Sequence, residues 1–598
     1  MQSISERIVL LRQAMLQSKV DACIVLTSDP HLSEYQPAHW KILPWLTGFT
    51  GSAGMIVITA SDAGLWTDSR YFIQAEKELI GPGIKLFKSG LIGIPTPYEW
   101  ISRELKENQV VGLDGSLFSI KQMEEISTIL KAKHILLNPS FNPFSEIWKE
   151  RPSFPNAPLF IYPEKYTGKS VEEKIREICI QLKENNATAL LLTALDEIAW
   201  TFNVRGADIA YTPVAVAFAY VSLDECRIFV APEKITDEVS DYFSKENICI
   251  SDYEQISCFL SNLDKNTKLL LDKNKVNSSL LHAISKETGV VYASSPPVTF
   301  LKSIKNETEL NGFRNAVIKD GIALVRFYQW LEQAQNNKEF LTEMDLAKKL
   351  IDFRSRQTGY FYDSFSPIVA VAENGAVVHY HSKEETNKPL SNENFLLIDS
   401  GAQYLDGTTD ITRTIALGKL TSQQKNDFTH VLKGHIAIAT CKFPHGTRGA
   451  QIDALARISL WKNGLNYLHG TGHGVGHFLS VHEGPQNIRL EENPTILLPG
   501  MVISNEPGVY REGQYGIRSE NLILVKESKE TDFGKFYEFE TLSLFPFDIQ
   551  SMDFSLLNDD EINWLNQYHR KVYEKLAPFL SEEECRWLKE KTADIHIV

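Results

Sequence analysis

Of 598 residues, 61 are Lys or Arg and 76 are Asp or Glu, a formal net charge of −15, with 43% hydrophobic and 23% charged residues. This is ordinary globular composition, so dominant disorder is excluded, and the acidic balance, with a pI of about 5.6, argues against the basic footprint of a nucleic-acid binder. The length exceeds what one hydrophobic core serves and predicts several domains on a prior of ~150 residues each.

The N-terminal residues MQSISERIVLLRQAMLQ lack a basic segment followed by an uninterrupted apolar one, so no secretory signal is predicted. Ser3 and Glu6 instead have the spacing of a capping box that opens an amphipathic helix. Seven scattered cysteines without a CxxC pair do not read as a disulfide framework, and apolar runs such as 213–221 fall short of the ~20 residues that span a bilayer. A cytoplasmic protein with no membrane partner is expected.

Two proline-dense stretches, 138–165 and 294–309, read as linkers or domain edges, because proline removes ladder donors and stiffens the chain. They divide the sequence at 1–150, 151–302 and 303–598. The first two segments look like divergent copies. DACIVLTSDPHLSEY and ATALLLTALDEIAWTFN share an apolar strand, a Thr, a polar turn and a short helix, and each is followed by a glycine turn and two strands at an offset of about 160 residues. Asn306 and Glu309 then form a capping box before a helix with Phe313, Val317, Leu324, Tyr328 and Leu331 on one stripe. Beyond it, NFLLIDSGAQY, DITRTIALG, MVISNEPG, GIRSENLILV and YEFETLSLFPFD alternate with helices, an α+β pattern. The last fifty residues carry no strand signal and form a helical appendix, with helices starting at Asn558 and Ser581.

Chemistry concentrates in this third region. Asp399 ends an apolar strand, Asp410 lies in TTDITRT, and Glu506 and Glu520 lie in SNEPG and IRSEN. Between the pairs runs HGTGHGVGHFLSVHEGP with His469, His473, His477 and His482. An acid within an apolar run is costly unless paired or metal-bound. Glu506 and Glu520 are symmetric about Gly513, so a hairpin there sets them opposite each other, with Cα atoms ~4.5–5.5 Å apart. For the aspartates, Asp406-Gly407 is a tempting two-residue turn, yet it would set Asp410 opposite Gln403, ~13 Å along the strand from Asp399. A shared site therefore needs a loop centred nearer Tyr404 and Leu405, or a bulge. Four carboxylates and an imidazole match two divalent cations, and an oxygen-rich set with one His suits Mn²⁺, with Co²⁺ or Zn²⁺ as alternatives. The alternating Gly470, Gly472, Gly474 and Gly476 do not form GxGxxG, and no HExxH is present, so neither a dinucleotide fold nor a zincin is indicated.

These residues, with TGFTGSAG and WTDSRYF in the first segment, LDEIAWTFNVRG in the second, and HYH, TNKPLS, NEPGVY, YGIRSEN and FETLSLFPFD in the third, resemble the pita-bread metallopeptidases, specifically the three-domain Xaa-Pro aminopeptidases. The resemblance implies two creatinase-like α/β domains followed by a pita-bread α+β catalytic domain. It implies that Asp399 binds one metal, Asp410 and Glu520 bridge both, and His473 and Glu506 bind the other. It further implies that His379 and His482 contact substrate, His469 lines the same pocket, Arg518 orients the ligand shell, and Arg70 reaches the far side of the substrate. The implied reaction hydrolyses the bond between an N-terminal residue and proline, a tertiary amide without N–H, in a homodimer acting on peptides. Asn505 departs from the acid many members carry there. His381 and His477 have no assigned role, and His430, His435 and His445 read as structural. Prolidase shares the five ligands but has a shorter chain and cleaves only dipeptides; non-catalytic pita-bread binding proteins lose ligands that are all present here.

Overall fold

A computed structural model describes residues 2–293, 297–391 and 393–596. Residues 294–296, the start of the second proline-dense stretch, lie outside the described residues; the stretch continues as a helix, Pro297–Ser303, rather than as an open linker. The chain forms two compact units, one of residues 1–164 and 169–298, the other of residues 165–168 and 299–598.

The first unit holds two six-stranded sheets of identical plan. In spatial order the first is Lys85–Lys88, Ala63–Thr67, Met55–Thr59, Ala22–Leu26, Val110–Gly112, Leu136–Asn138, and the second is Ile248–Ser251, Cys226–Val230, Ala217–Ser222, Ala189–Leu192, Lys268–Leu271, Gly289–Tyr292. In each, three central strands run antiparallel and the flanking pairs are parallel. The inferred duplication is therefore carried by topology. The central strands Ala22–Leu26 and Ala189–Leu192 are buried at every position, which is why they read as unbroken apolar runs rather than alternating ones.

The longest helix of the second unit among the described residues is Glu307–Asn336, 30 residues, whose N-terminus carries the Asn306–Glu309 capping box. Phe313, Val317, Leu324, Tyr328 and Leu331 are all buried on it. Three sheets position the site: a six-stranded sheet that includes Gly472–Gly474, Val502–Asn505 and Asn521–Thr531, a three-stranded sheet of Ile368–Val371, Phe395–Ser400 and Ile411–Ala416, and the ribbon Gly508–Arg511 with Tyr515–Arg518. The predicted strand YEFETLSLFPFD is shorter than expected, ending at Thr541. The carbonyls of Phe545 and Pro546 beyond it accept from the Arg413 guanidinium instead of a neighbouring strand. Asn558 and Ser581 cap the helices Asp559–Leu576 and Glu582–Lys591. No described helix is long and apolar enough to cross a membrane.

Candidate active site

The five predicted ligands sit on or beside the ends of five strands. Asp399 lies in Phe395–Ser400, Asp410 precedes Ile411–Ala416, His473 lies in Gly472–Gly474, Glu506 follows Val502–Asn505, and Glu520 precedes Asn521–Thr531. The pairings Asn505↔Asn521 and Gly508↔Arg518 flank Glu506 and Glu520 symmetrically, so the register centred on Gly513 holds. For the aspartates the Asp406-Gly407 turn is not used. Tyr404 pairs with Gly407, which makes Leu405-Asp406 the turn, and Asp399 pairs with Thr412. Asp410, two residues before Thr412, then shares its face of the sheet. The strands break at Gly401 and Thr409, where a Cβ on Gly401 would lie 1.9 Å from the Thr409 carbonyl oxygen; only glycine permits this crossing.

Ligand atoms of Asp410, His473 and Glu520 all lie within 4.8 Å of one another. His473 Nε2 is 3.5 Å from both Asp410 Oδ2 and Glu506 Oε1. Its Nδ1–H donates to the Gly474 carbonyl at 2.9 Å, which turns Nε2 toward the carboxylates. Asp399, Asp410 and Glu520 are buried, and Asp399 Oδ1 and Asp410 Oδ1 have no hydrogen-bond partner.

Such crowding has an electrostatic cost. Burial, reinforced by Asp410 and Asp399, pushes the Glu520 carboxyl well above the ordinary range. Burial also raises Asp399, against Arg518, and lifts Glu506 to about 7. Burial opposes protonation of His473, but Asp410 and Glu506 outweigh it and raise the imidazole to about 9. Without added positive charge Asp399, Glu506 and Glu520 hold their protons more tightly than ordinary carboxyls; with the partnerless Asp399 Oδ1 and Asp410 Oδ1 beside them they form a donor set that fits divalent cations.

A hydrogen-bonded shell fixes these groups. Arg518 donates to Asp399 Oδ2 at 2.6 Å, to Thr412 Oγ1 at 3.2 Å and to the Tyr510 hydroxyl at 2.8 Å. Thr412 donates to Glu520 Oε2 at 2.6 Å, and Tyr510 Oη lies 2.8 Å from His469 Nε2. Ser504 accepts from the His473 backbone N–H and donates to Glu506. Behind the glutamates, the Nδ1–H of His435 donates to the carbonyls of Asn505 and Ser519, each one residue before a glutamate, while Nε2 accepts from Asn521. Burial depresses His435 to about 3, so it serves as a neutral brace. Asn505 donates to the His435 carbonyl, a bond that an acid at that position could not make.

The His482 ring packs edge-on against His473, centroids 4.4 Å apart. His379 is half-buried in a turn after Ala372–Ala376, His381 is exposed, and His477 packs edge-on against Phe313. Arg70 belongs to the first unit, paired with Asp68 and Glu34. His430 and His445 contact Ser459 and Tyr537. Tyr510, Thr412 and Ser504 escaped the sequence reading, although Tyr510 lies inside NEPGVY and Thr412 inside TTDITRT.

Residues 311–527 match the model of metallopeptidase family M24 and residues 535–595 that of the C-terminal region of this peptidase. Residues 7–147 and 150–309 each match a creatinase/prolidase N-terminal domain. The chain is 38% identical to aminopeptidase P2 of Arabidopsis thaliana over 609 residues, covering 96% of this chain and 86% of that one. It is 37% identical to Xaa-Pro aminopeptidase 1 of Dictyostelium discoideum over 607 residues, covering 98% and 96%. The solved X-prolyl aminopeptidase of Caenorhabditis elegans, described as a cytosolic enzyme with a di-nuclear active site, superposes with a TM-score of 0.95 at 34% identity over 100% of both chains. The chain belongs to metallopeptidase family M24, among its full-length Xaa-Pro aminopeptidases.

Proposed function

We propose that this enzyme removes the N-terminal residue from peptides whose second residue is proline, with two divalent cations bound by Asp399, Asp410, His473, Glu506 and Glu520. One observation carries the reading: buried acids with raised proton affinity and an imidazole converge at five strand ends. In this assignment Asp410 and Glu520 are shared between the cations, Asp399 serves one, and His473 with Glu506 the other. Mn²⁺ suits an oxygen-rich set with one imidazole, with Co²⁺ or Zn²⁺ as alternatives.

When bound, the cation pair supplies charge that polarises the scissile carbonyl and activates water near neutral pH. Arg518, tied to Thr412 and Tyr510, holds the Asp399 carboxylate in one orientation. His482, edge-on to His473, and His379 bind the peptide and donate to the carbonyl oxygen as negative charge grows there. His469, held by Tyr510, lines the pocket. Arg70 is assigned to the far side of the substrate. The boundaries 1–150, 151–302 and 303–598, a cytoplasmic location and a homodimer through the catalytic domain complete the reading.

The decisive assay compares Xaa-Pro-Yaa tripeptides with Xaa-Pro dipeptides in the presence of Mn²⁺. Release of the first residue from tripeptides and longer peptides is expected; cleavage confined to dipeptides would establish a prolidase instead. Light scattering at the monomer mass of 67.7 kDa would reject the homodimer.

A further inference from the structure

Glu343 is the first residue of the helix Glu343–Ser355 and is 0% exposed. An acid at a helix start ordinarily serves its own helix, through the first N–H groups or the dipole. Here Thr342 performs the capping, and every hydrogen bond to the Glu343 carboxylate comes from elsewhere. Oε1 accepts from the Val371 backbone N–H at 2.7 Å and from Asn374 Nδ2 at 2.9 Å. Oε2 accepts from the Tyr380 hydroxyl at 2.8 Å, the Lys388 backbone N–H at 3.0 Å and Asn374 Nδ2 at 3.1 Å. The Glu343 N–H returns a bond to the Lys388 carbonyl at 2.9 Å. Among the described residues it has no ion-pair partner, so the carboxylate acts purely as an acceptor of neutral donors.

These donors are the fixed points of one excursion of the chain. Val371 ends the strand that pairs with Phe395–Ser400, the strand of Asp399. Asn374 lies in the short helix that follows, Tyr380 comes directly after His379, and Lys388 closes the loop. At the base of the loop Gly375 touches Gly516, where an added Cβ would meet the Gly375 carbonyl oxygen at 1.7 Å, and Gly516 lies in the strand Tyr515–Arg518. One buried carboxylate thus ties together both ends and the middle of the segment that presents His379, beside two strands of the site.

We propose that Glu343 is a positioning residue for His379, a role that rests on the assignment of His379 to substrate above. The carboxylate geometry matters because glutamine would turn an amide NH₂ toward groups that are themselves donors.

The test is a double-mutant cycle on tripeptide hydrolysis with Mn²⁺, with metal content measured for every variant. Glu343→Gln is expected to lower kcat about ten- to hundredfold, the scale of a misplaced catalytic group, while two cations per chain are retained. Tyr380→Phe, which removes one donor, is expected to lower kcat in the same direction by a smaller factor. In a His379→Ala background each of these substitutions should cost less than about twofold, because the group they position is gone. Equal fold-losses with and without His379, wild-type kcat in both variants, or loss of metal from Glu343→Gln would overturn the proposal. If Glu343→Gln yields no folded protein, the Tyr380→Phe cycle decides alone. A His379→Ala variant with unchanged kcat would remove the underlying assignment, and that result is read independently of Glu343.

Discussion

Arg518 Nη2 lies 2.6 Å from Asp399 Oδ2, while Oδ1 of the same carboxylate has no hydrogen-bond partner. The arginine thereby fixes which oxygen of Asp399 is presented to a cation. A lysine carries one point charge and cannot span Asp399, Thr412 and Tyr510 together. Arg518→Lys is expected to weaken metal binding about 10–100-fold, the usual effect of removing a partner that orients a ligand. Calorimetric titration of metal-free protein measures it; unchanged affinity would show that Asp399 needs no orientation.

Asp410 faces His473 and repels both Glu506 and Glu520. Wild-type protein is expected to carry close to two metals per chain by elemental analysis, and Asp410→Ala to lose both loading and turnover. At a cation concentration of 100 Kd, each occupied site should stabilise the wild type by about 2.7 kcal/mol. The variant should show no such gain in thermal unfolding. Because Glu506, lifted to about 7, and His473, raised to about 9, must release protons to bind cations, as must Glu520, held well above its ordinary range, loading should strengthen as pH rises through 7 and on toward 9. One metal with full activity, or a variant still protected by Mn²⁺, would contradict the shared role of Asp410.

What could be read from sequence was local. Capping boxes at Ser3 and Asn306 fixed two helix starts because the paired residues lie three apart, and Asn558 and Ser581 marked two more. The Glu506–Glu520 register followed from symmetry about one turn. The Asp399–Asp410 register did not, because its turn is chosen by the crossing of Gly401 under Thr409 rather than by Asp406-Gly407, the stronger turn signal. Partners from distant segments were equally hidden: nothing in the spacing links His435 to Asn505 and Ser519, or Glu343 to Tyr380. In both cases a buried polar group announces itself only once its burial is known.

The Gly401 crossing can be tested directly. A Cβ there would meet the Thr409 carbonyl oxygen at 1.9 Å and the Ser364 hydroxyl at 2.3 Å. The first obstacle is backbone and cannot rotate away, so Gly401→Ala must displace the strand that precedes Asp410. A loss of at least about 1–3 kcal/mol in unfolding free energy is expected from overpacking of this kind, together with reduced metal content. An alanine variant with wild-type stability and loading would show that the strands can separate without disturbing Asp410.

In the first unit, His31 joins the two duplicated halves. Its Nδ1–H donates to the Thr193 carbonyl at 2.9 Å, its Nε2 lies 3.0 Å from the Tyr253 hydroxyl, and its ring packs 4.4 Å from Phe218. Burial, with a smaller contribution from Lys234, depresses the imidazole to about 3. Burial also holds Tyr253 protonated, so its hydroxyl is the donor to Nε2. Below pH 6.5 the unfolded chain takes up a proton that the folded chain refuses until about pH 3. The unfolded state therefore binds more protons in that window, and stability contributed by neutral His31 is lost as pH falls through 6.5. Between pH 6.5 and 5 the loss is about 2 kcal/mol, at 1.36 kcal/mol per unit. His31→Gln has no group that titrates there, and its neighbours, including the buried Asp29, are common to both proteins. Urea unfolding at pH 7 and pH 5 should therefore show a smaller acid loss in the variant by that amount. Equal losses in the two proteins would mean that the imidazole titrates alike in the folded and unfolded chains, and would overturn the assignment of a neutral buried His31.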